Sequence, residues 1–140
     1  MDSSKGFFLN RILVIMLLLI SSVFAEVINK YPSQKLIDSK VTIIDIRTKP
    51  EWKETGLLSG AIPITFFDQR GKYDIPLFMQ ELQKHVKPNE TFAIICHTGS
   101  RTAILADFLA KYYHMKVINL RGGMHYAQQI HLKSVPYMSK

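Results

Sequence analysis

Within six residues, Cys96-His97-Thr98-Gly99-Ser100-Arg101 gathers a thiol, an imidazole, two hydroxyls, a glycine and a guanidinium. Cys96 is the only cysteine in the 140-residue chain, so it has no partner for an internal disulfide. A thiol ringed by N–H donors and a cation is suited to nucleophilic work, because the attacking species is the thiolate. A covalent intermediate on that sulfur would divide one difficult transfer into two easier steps. Gly99 lets the backbone curl so that several N–H groups turn inward. Arg101 places a permanently charged group at the rim.

The flanking elements decide whether that chemistry can be positioned. Phe92-Ala93-Ile94-Ile95 is a continuous apolar run and predicts a buried strand of a parallel sheet. After the loop, Ile104, Leu105, Phe108, Leu109 and Tyr112 recur at helical spacing within a helix over 102–112. The cysteine therefore belongs to a strand-to-helix turn, facing a helix amino end. Unpaired N–H groups and the positive end of the helix dipole favour an anion there.

The same alternation runs through the rest of the chain. A short first strand is expected at 26–29, then a helix opened by Pro32 and running through Gln34, Leu36 and Ile37 to about Ser39. Val41-Thr42-Ile43-Ile44-Asp45-Ile46 is β-branched and apolar, a buried strand ending on Asp45 and Arg47. Thr48 and Glu51 have the spacing of a capping box for a short helix around Trp52 that stops at Gly56. Residues 57–63 read as a tight turn into an extended piece, 62–66, and residues 67–74 as an exposed loop. Pro76 suits the first turn of a helix reaching Val86, and Pro88-Asn89 the turn after it. A strand at 116–120 leads through Arg121-Gly122-Gly123 into a last helix from Met124 to about Leu132. Strands alternating with helices imply an α/β fold with a mainly parallel sheet, whose site lies beyond the carboxyl ends of its strands. Asp45, Arg47, Cys96 to Arg101 and Arg121 all fall at such ends.

The amino-terminal segment has a different character. Lys5 and Arg11 precede the apolar stretch 12–20, and Ser21-Ser22-Val23-Phe24-Ala25 follows. This pattern predicts a secretory signal peptide over 1–25, cut before Glu26, with one domain over 26–140 and a periplasmic destination. The alternative is an uncleaved anchor, the only expected membrane contact. Nine apolar residues fall short of the ~20 that span a bilayer. Loss of Lys5, Arg11 and Asp2 would lower the net charge from +7 to +6, an excess suited to small anionic substrates. The basic residues are scattered and match no nucleic-acid motif, so nucleic acid is excluded as a partner.

Four segments in this order resemble the rhodanese-homology domain. Ile44-Asp45-Ile46-Arg47 with Glu51-Trp52 resembles that family's aspartate–arginine–glutamate–aromatic segment. Gly60-Ala61-Ile62-Pro63 resembles its glycine turn, Cys96 to Arg101 its six-residue active loop, and Leu120-Arg121-Gly122-Gly123 its double-glycine turn. The resemblance covers nearly all of 26–140 and implies a five-stranded parallel sheet flanked by helices. Two positions depart from the pattern: leucine (Leu57 or Leu58) replaces the turn's histidine, and Tyr126 stands where a tryptophan follows the double glycine.

The resemblance also implies an activity: sulfur transfer through a persulfide on Cys96, with no cofactor or metal. The donor would be a small thiosulfate-like anion and the acceptor a thiol or cyanide. His97, Thr98, Gly99, Ser100 and Arg101 would bind the substrate and the persulfide, Arg101 anchoring the loop or the donor's sulfonate end. Four residues separate Cys96 from Arg101, one fewer than in related cysteine phosphatases, so the ring of N–H groups should suit one sulfur rather than a phosphoryl group.

Supporting roles are open for Asp45, Arg47, Arg70 and Arg121. Asp45 and Arg47 could be an ion pair closing the sheet edge, Arg70 a solvated loop residue, and Arg121 a brace for its turn. His97 has no evident acid partner, and Trp52 and Phe66-Phe67 suit packing. Two other functions stay in view. One is a soft-metal (copper) module using Cys96-His97, Met124-His125 and His114-Met115; the other is a non-catalytic interaction domain of the same fold.

Overall fold

The computed structural model describes residues 4–11 and 25–139. The apolar stretch 12–20 and residues 21–24 of the signal-peptide expectation lie outside the described residues. Residues 4–11 are helical and exposed. Among the described residues no helix is long and apolar enough to cross a membrane.

Five parallel strands form the central sheet: β1 (Glu26–Lys30), β2 (Ile43–Asp45), β4 (Ile62–Pro63), β5 (Phe92–Ile95) and β6 (Lys116–Leu120), ordered β1-β6-β5-β2-β4. The helices are α1 (Gln34–Asp38), α2 (Lys49–Thr55), α3 (Ile75–Leu82), α4 (Ser100–Tyr113) and α5 (Gly123–Gln129). The expected α/β architecture is present. The β2 and β4 ladder continues past its strands, with Ile64 N–H donating to the Asp45 carbonyl at 3.0 Å and Phe66 N–H to that of Ile46 at 3.2 Å.

Side-chain alternation divides the core between the two faces of the sheet. Phe92, Ile94 and Cys96 join Ile44 and Ile46 under Leu105 and Leu109 of α4 and Phe78 and Leu82 of α3. Ala93 and Ile95 join Ile43 and Leu120 on the other face, under Leu36 of α1 and Met124 and Ala127 of α5. The cysteine thus continues the buried rhythm of its strand and arrives on the α4 face.

Several local expectations are corrected. Leu57–Leu58 is a strand, β3, rather than part of a turn; it pairs antiparallel with β7 (Ser134–Val135). A two-residue strand gives no periodicity to read, and its partner lies almost eighty residues away. The helix after Pro32 is capped by Ser33, whose hydroxyl accepts the Leu36 N–H at 3.2 Å. The last helix ends at Gln129, closed by Leu132 N–H donating to the Ala127 carbonyl at 2.9 Å. On α4, Ile104 and Tyr112 are 63 % and 60 % exposed; the buried stripe runs instead through Thr102, Leu105, Ala106, Leu109 and Ala110. The 67–74 loop is exposed as expected except at Phe67, which is half-buried; Tyr73 stays exposed while lying against Phe66. Phe67 meets Phe66 edge-on at 4.7 Å and Tyr73 stacks on Phe66 at 5.3 Å.

Candidate active site

The loop from Cys96 to Arg101 connects β5 to α4 through Gly99, which takes a left-handed φ of 95°. That turn brings the Gly99 N–H onto the Cys96 Sγ at 3.1 Å. The Thr102 hydroxyl stands 3.6 Å from the sulfur and 3.1 Å from the Gly99 carbonyl, to which it donates. The first-turn N–H groups of α4 have no intrahelical acceptor and point back toward the loop. Cys96 itself is buried. Neither α4 nor α5 carries an acidic residue in its first turn, so no carboxylate at either helix start opposes an anion beside the sulfur.

A second loop locks the first. Met124 N–H donates to the Cys96 carbonyl and His125 N–H to the His97 carbonyl, both at 2.9 Å. These bonds turn the two loop carbonyls toward the start of α5. The approach leaves no room for side chains: a Cβ on Gly123 would collide with the Cys96 carbonyl oxygen, and one on Gly99 would stand 2.9 Å from the Gly122 nitrogen. Arg121-Gly122-Gly123 therefore supports the cradle, a role wider than bracing its own turn.

Arg101 is engaged by a carboxylate of α2. Its two terminal nitrogens donate to the two oxygens of Glu51, at 2.9 and 2.6 Å, in a bidentate pair. Glu51 Oε2 also accepts the Thr48 N–H and hydroxyl, each at 2.9 Å, completing the capping box of α2. Partial burial pushes the Glu51 carboxyl upward, but hydrogen bonds from Arg101 and Thr48 outweigh it and lower the pKa to about 2. The hydrogen bond to Glu51 raises Arg101 further above its already high value. Of the two expected roles for Arg101, the geometry supplies loop anchoring. Glu51, read from sequence only as a cap, is the residue that reasoning missed; its signal was its place in the family-like segment with Trp52.

Asp45 and Arg47 form an ion pair, but not at the sheet edge: β2 lies between β5 and β4, and both side chains are 0 % exposed. Arg47 Nε and Nη2 grip Asp45 at 2.8–3.1 Å, and Nη1 and Nη2 donate to Thr55 Oγ1 and the Gly56 carbonyl at 2.7 Å. Trp52 Nε1 donates to Asp45 at 3.1 Å. Alternation puts this network on the opposite face of the sheet from the Cys96 side chain. It holds α2, and through α2 it holds Glu51.

The remaining candidates separate. Arg70 is exposed at the tip of its loop, where its N–H donates to Asp68 at 2.8 Å. Arg121 is exposed beside the cradle, with its guanidinium 5.9 Å from the Tyr31 ring centroid. Thr98 and Ser100 face solvent 3.4 Å apart. The His97 and His125 rings lie 6.2 Å apart at the rim. Among the described residues no three His, Cys, Asp or Glu side chains converge as a metal site. His114 and Met115 lie past the far end of the 14-residue α4, roughly 20 Å from the loop. An open groove of about 570 Å³ beside β4, lined by Phe66, Tyr73, Leu77 and Phe78, includes no residue of the Cys96 loop.

Comparison with known proteins agrees with this arrangement. A sequence model of the family described as Rhodanese-like domain matches residues 30–129. A protein of Allochromatium vinosum named Sulfurtransferase is 31 % identical over 100 residues, covering 71 % of this chain and 83 % of that protein. Among solved structures, the polysulfide-sulfur transferase homodimer of Wolinella succinogenes superposes with a TM-score of 0.61 at 20 % identity, covering 89 % of each chain. A rhodanese-like domain protein of Staphylococcus aureus gives 0.54 at 22 % identity, covering 79 % of this chain and 98 % of that one. The two superpositions carry the fold; the family match and the Allochromatium relative carry the membership.

Proposed function

We propose, from the premise that this chain belongs to the rhodanese-like domain family, that it is a sulfurtransferase working through a persulfide on Cys96. The observation that carries the reading is the Gly99 N–H on the Cys96 sulfur at 3.1 Å, at the amino end of a 14-residue helix. The thiolate attacks the outer sulfur of thiosulfate. A bond forms between Sγ and that sulfur, the bond to the sulfonate sulfur breaks, and sulfite leaves with the electron pair. Cyanide or a thiolate then takes the outer sulfur and returns the thiolate of Cys96, so no external oxidant or reductant enters. Gly99 N–H and the unpaired first-turn N–H groups of α4 supply fixed donors for the anionic persulfide.

Full burial of Cys96 supports a donor small enough to enter the loop, and the four-residue spacing to Arg101 supports sulfur over a phosphoryl group. The reading extends to export: the apolar stretch 12–20 behind Lys5 and Arg11 supports delivery to the periplasm. Incubation with thiosulfate followed by intact mass tests the chemistry. The expected result is a gain of one sulfur, removed by cyanide and absent in Cys96→Ser. An unchanged mass would overturn the reading, and retention of copper instead would move the protein to the metal-binding class.

A further inference from the structure

The arginines around the site are not equivalent in charge. Arg47 is neutralised by Asp45 and Arg101 by Glu51. Arg121 has neither a salt bridge nor a side-chain hydrogen bond among the described residues; its one recorded partner is the face of Tyr31. It is also held against the cradle. Its N–H donates to the Lys30 carbonyl at 2.8 Å, fixing it at the end of β6. Its Cα would lie 3.5 Å from a Cβ on Gly99, the residue whose N–H meets the sulfur. The neighbours at this rim are Lys30, His97 and His125, with no acid in the first turn of either adjoining helix.

We propose that Arg121 is the specificity-determining residue that reads the negative charge of the substrate, while Arg101 holds the loop in shape. The site would then prefer small anionic donors to neutral ones through a cation supplied by the second loop. This assignment rests on the sulfurtransferase reading for its substrate, but not for its test. Cys96 is the only thiol, so alkylation of the full chain reports this site alone. Iodoacetate and iodoacetamide differ mainly in charge, and their rates are read by intact mass on wild type, Arg121→Gln, Arg121→Lys and Arg70→Gln.

In Arg121→Gln the ratio of iodoacetate to iodoacetamide rates should fall about two- to tenfold, as expected on removing one unit charge from the rim of a partly solvated site. Arg121→Lys should retain most of the ratio and Arg70→Gln all of it. With thiosulfate, KM in Arg121→Gln should rise by a similar factor, and by more than kcat falls. A ratio unchanged in Arg121→Gln overturns the assignment, whether or not the protein turns over thiosulfate. A wild-type chain that never acquires sulfur, together with the expected fall in the ratio, overturns the proposed function and leaves Arg121 as the residue that reads charge.

Discussion

The loops after β2 and β5 begin alike, at the carboxyl ends of neighbouring strands, and finish with opposite polar economies. After β2, Asp45, Arg47, Trp52, Thr55 and Gly56 satisfy one another in a largely buried network. After β5, the loop carbonyls of Cys96 and His97 are occupied by the start of α5, and N–H groups are left facing the thiol. A closed network holds a helix in place; an incompletely paired one can stabilise a charge that arrives from outside. Glu51 joins the two regions, since it caps α2 and grips Arg101 at the start of α4. The rigid side thereby lends its order to the reactive side.

The sharpest break in this comparison is the thiol. Cys96→Ser is expected to remove thiocyanate formation from thiosulfate and cyanide entirely, with the melting temperature within a few degrees of wild type. Serine preserves the volume, and its hydroxyl can still accept the Gly99 N–H. Undiminished turnover in that variant would show that the chemistry resides elsewhere.

The next largest effect falls on the other loop and on another observable. Asp45→Ala strands the fully buried Arg47 guanidinium without its carboxylate and should cost about 3–5 kcal/mol of stability. Chemical denaturation measures it. Because the network reaches the sulfur only through α2, Glu51 and Arg101, the protein that remains folded should lose less turnover than Arg101→Ala does. A large loss of turnover per folded molecule, with stability intact, would exchange the roles assigned to the two loops.

How much of this was legible beforehand depended on the range of each interaction. The strand at Phe92–Ile95, the helix beyond Gly99 and the capping box at Thr48 and Glu51 are encoded in contiguous residues, and they stand where the pattern put them. The pairing of Arg101 with Glu51 spans fifty positions, and a carboxylate already assigned to a cap gives no sign of a second partner. Nor could spacing show that Gly123 must be bare because a carbonyl of the active loop lies against it. The outward turn of Ile104 and Tyr112 was hidden for a further reason. Thr102, Ala106 and Ala110 are small or polar enough to be passed over, yet they line the buried face of α4.

A smaller effect is expected where the two regions meet. Arg101→Ala frees the start of α4 from α2 and should lower kcat/KM for thiosulfate about tenfold or more. Arg70→Ala, at an exposed loop tip, should change it by less than twofold. Because Arg101 anchors the loop rather than the donor, the loss should fall mainly on kcat. Equal losses in the two variants, or a loss confined to KM, would return Arg101 to substrate binding.

The smallest effect concerns acid, and its sign follows from the depressed carboxyl of Glu51. Its pKa is about 2 in the folded protein against 4.5 as the ordinary value. A group lowered by folding contributes stability that is fully present above its unfolded value and is lost as pH falls through its folded one. The Glu51 contribution should therefore be constant from neutral pH down to about 4.5 and fade as the pH drops from there toward 2. Arg101 adds no slope in this window, because its shift is upward from a value already far above it. Asp68 and Glu90 are also lowered, chiefly by the backbone N–H groups of Lys72 and Lys87, and both would add acid sensitivity of their own. They are unchanged in Glu51→Gln, so the difference between that variant and wild type isolates Glu51. Thermal melts of the two proteins should differ by a constant amount from pH 7 to about pH 5. They should then converge as the pH approaches 2, wild type losing stability faster. Parallel curves down to pH 2 would mean that the Arg101–Glu51 pair does not hold the carboxyl ionised, and that the rigid loop does not brace the reactive one through this contact.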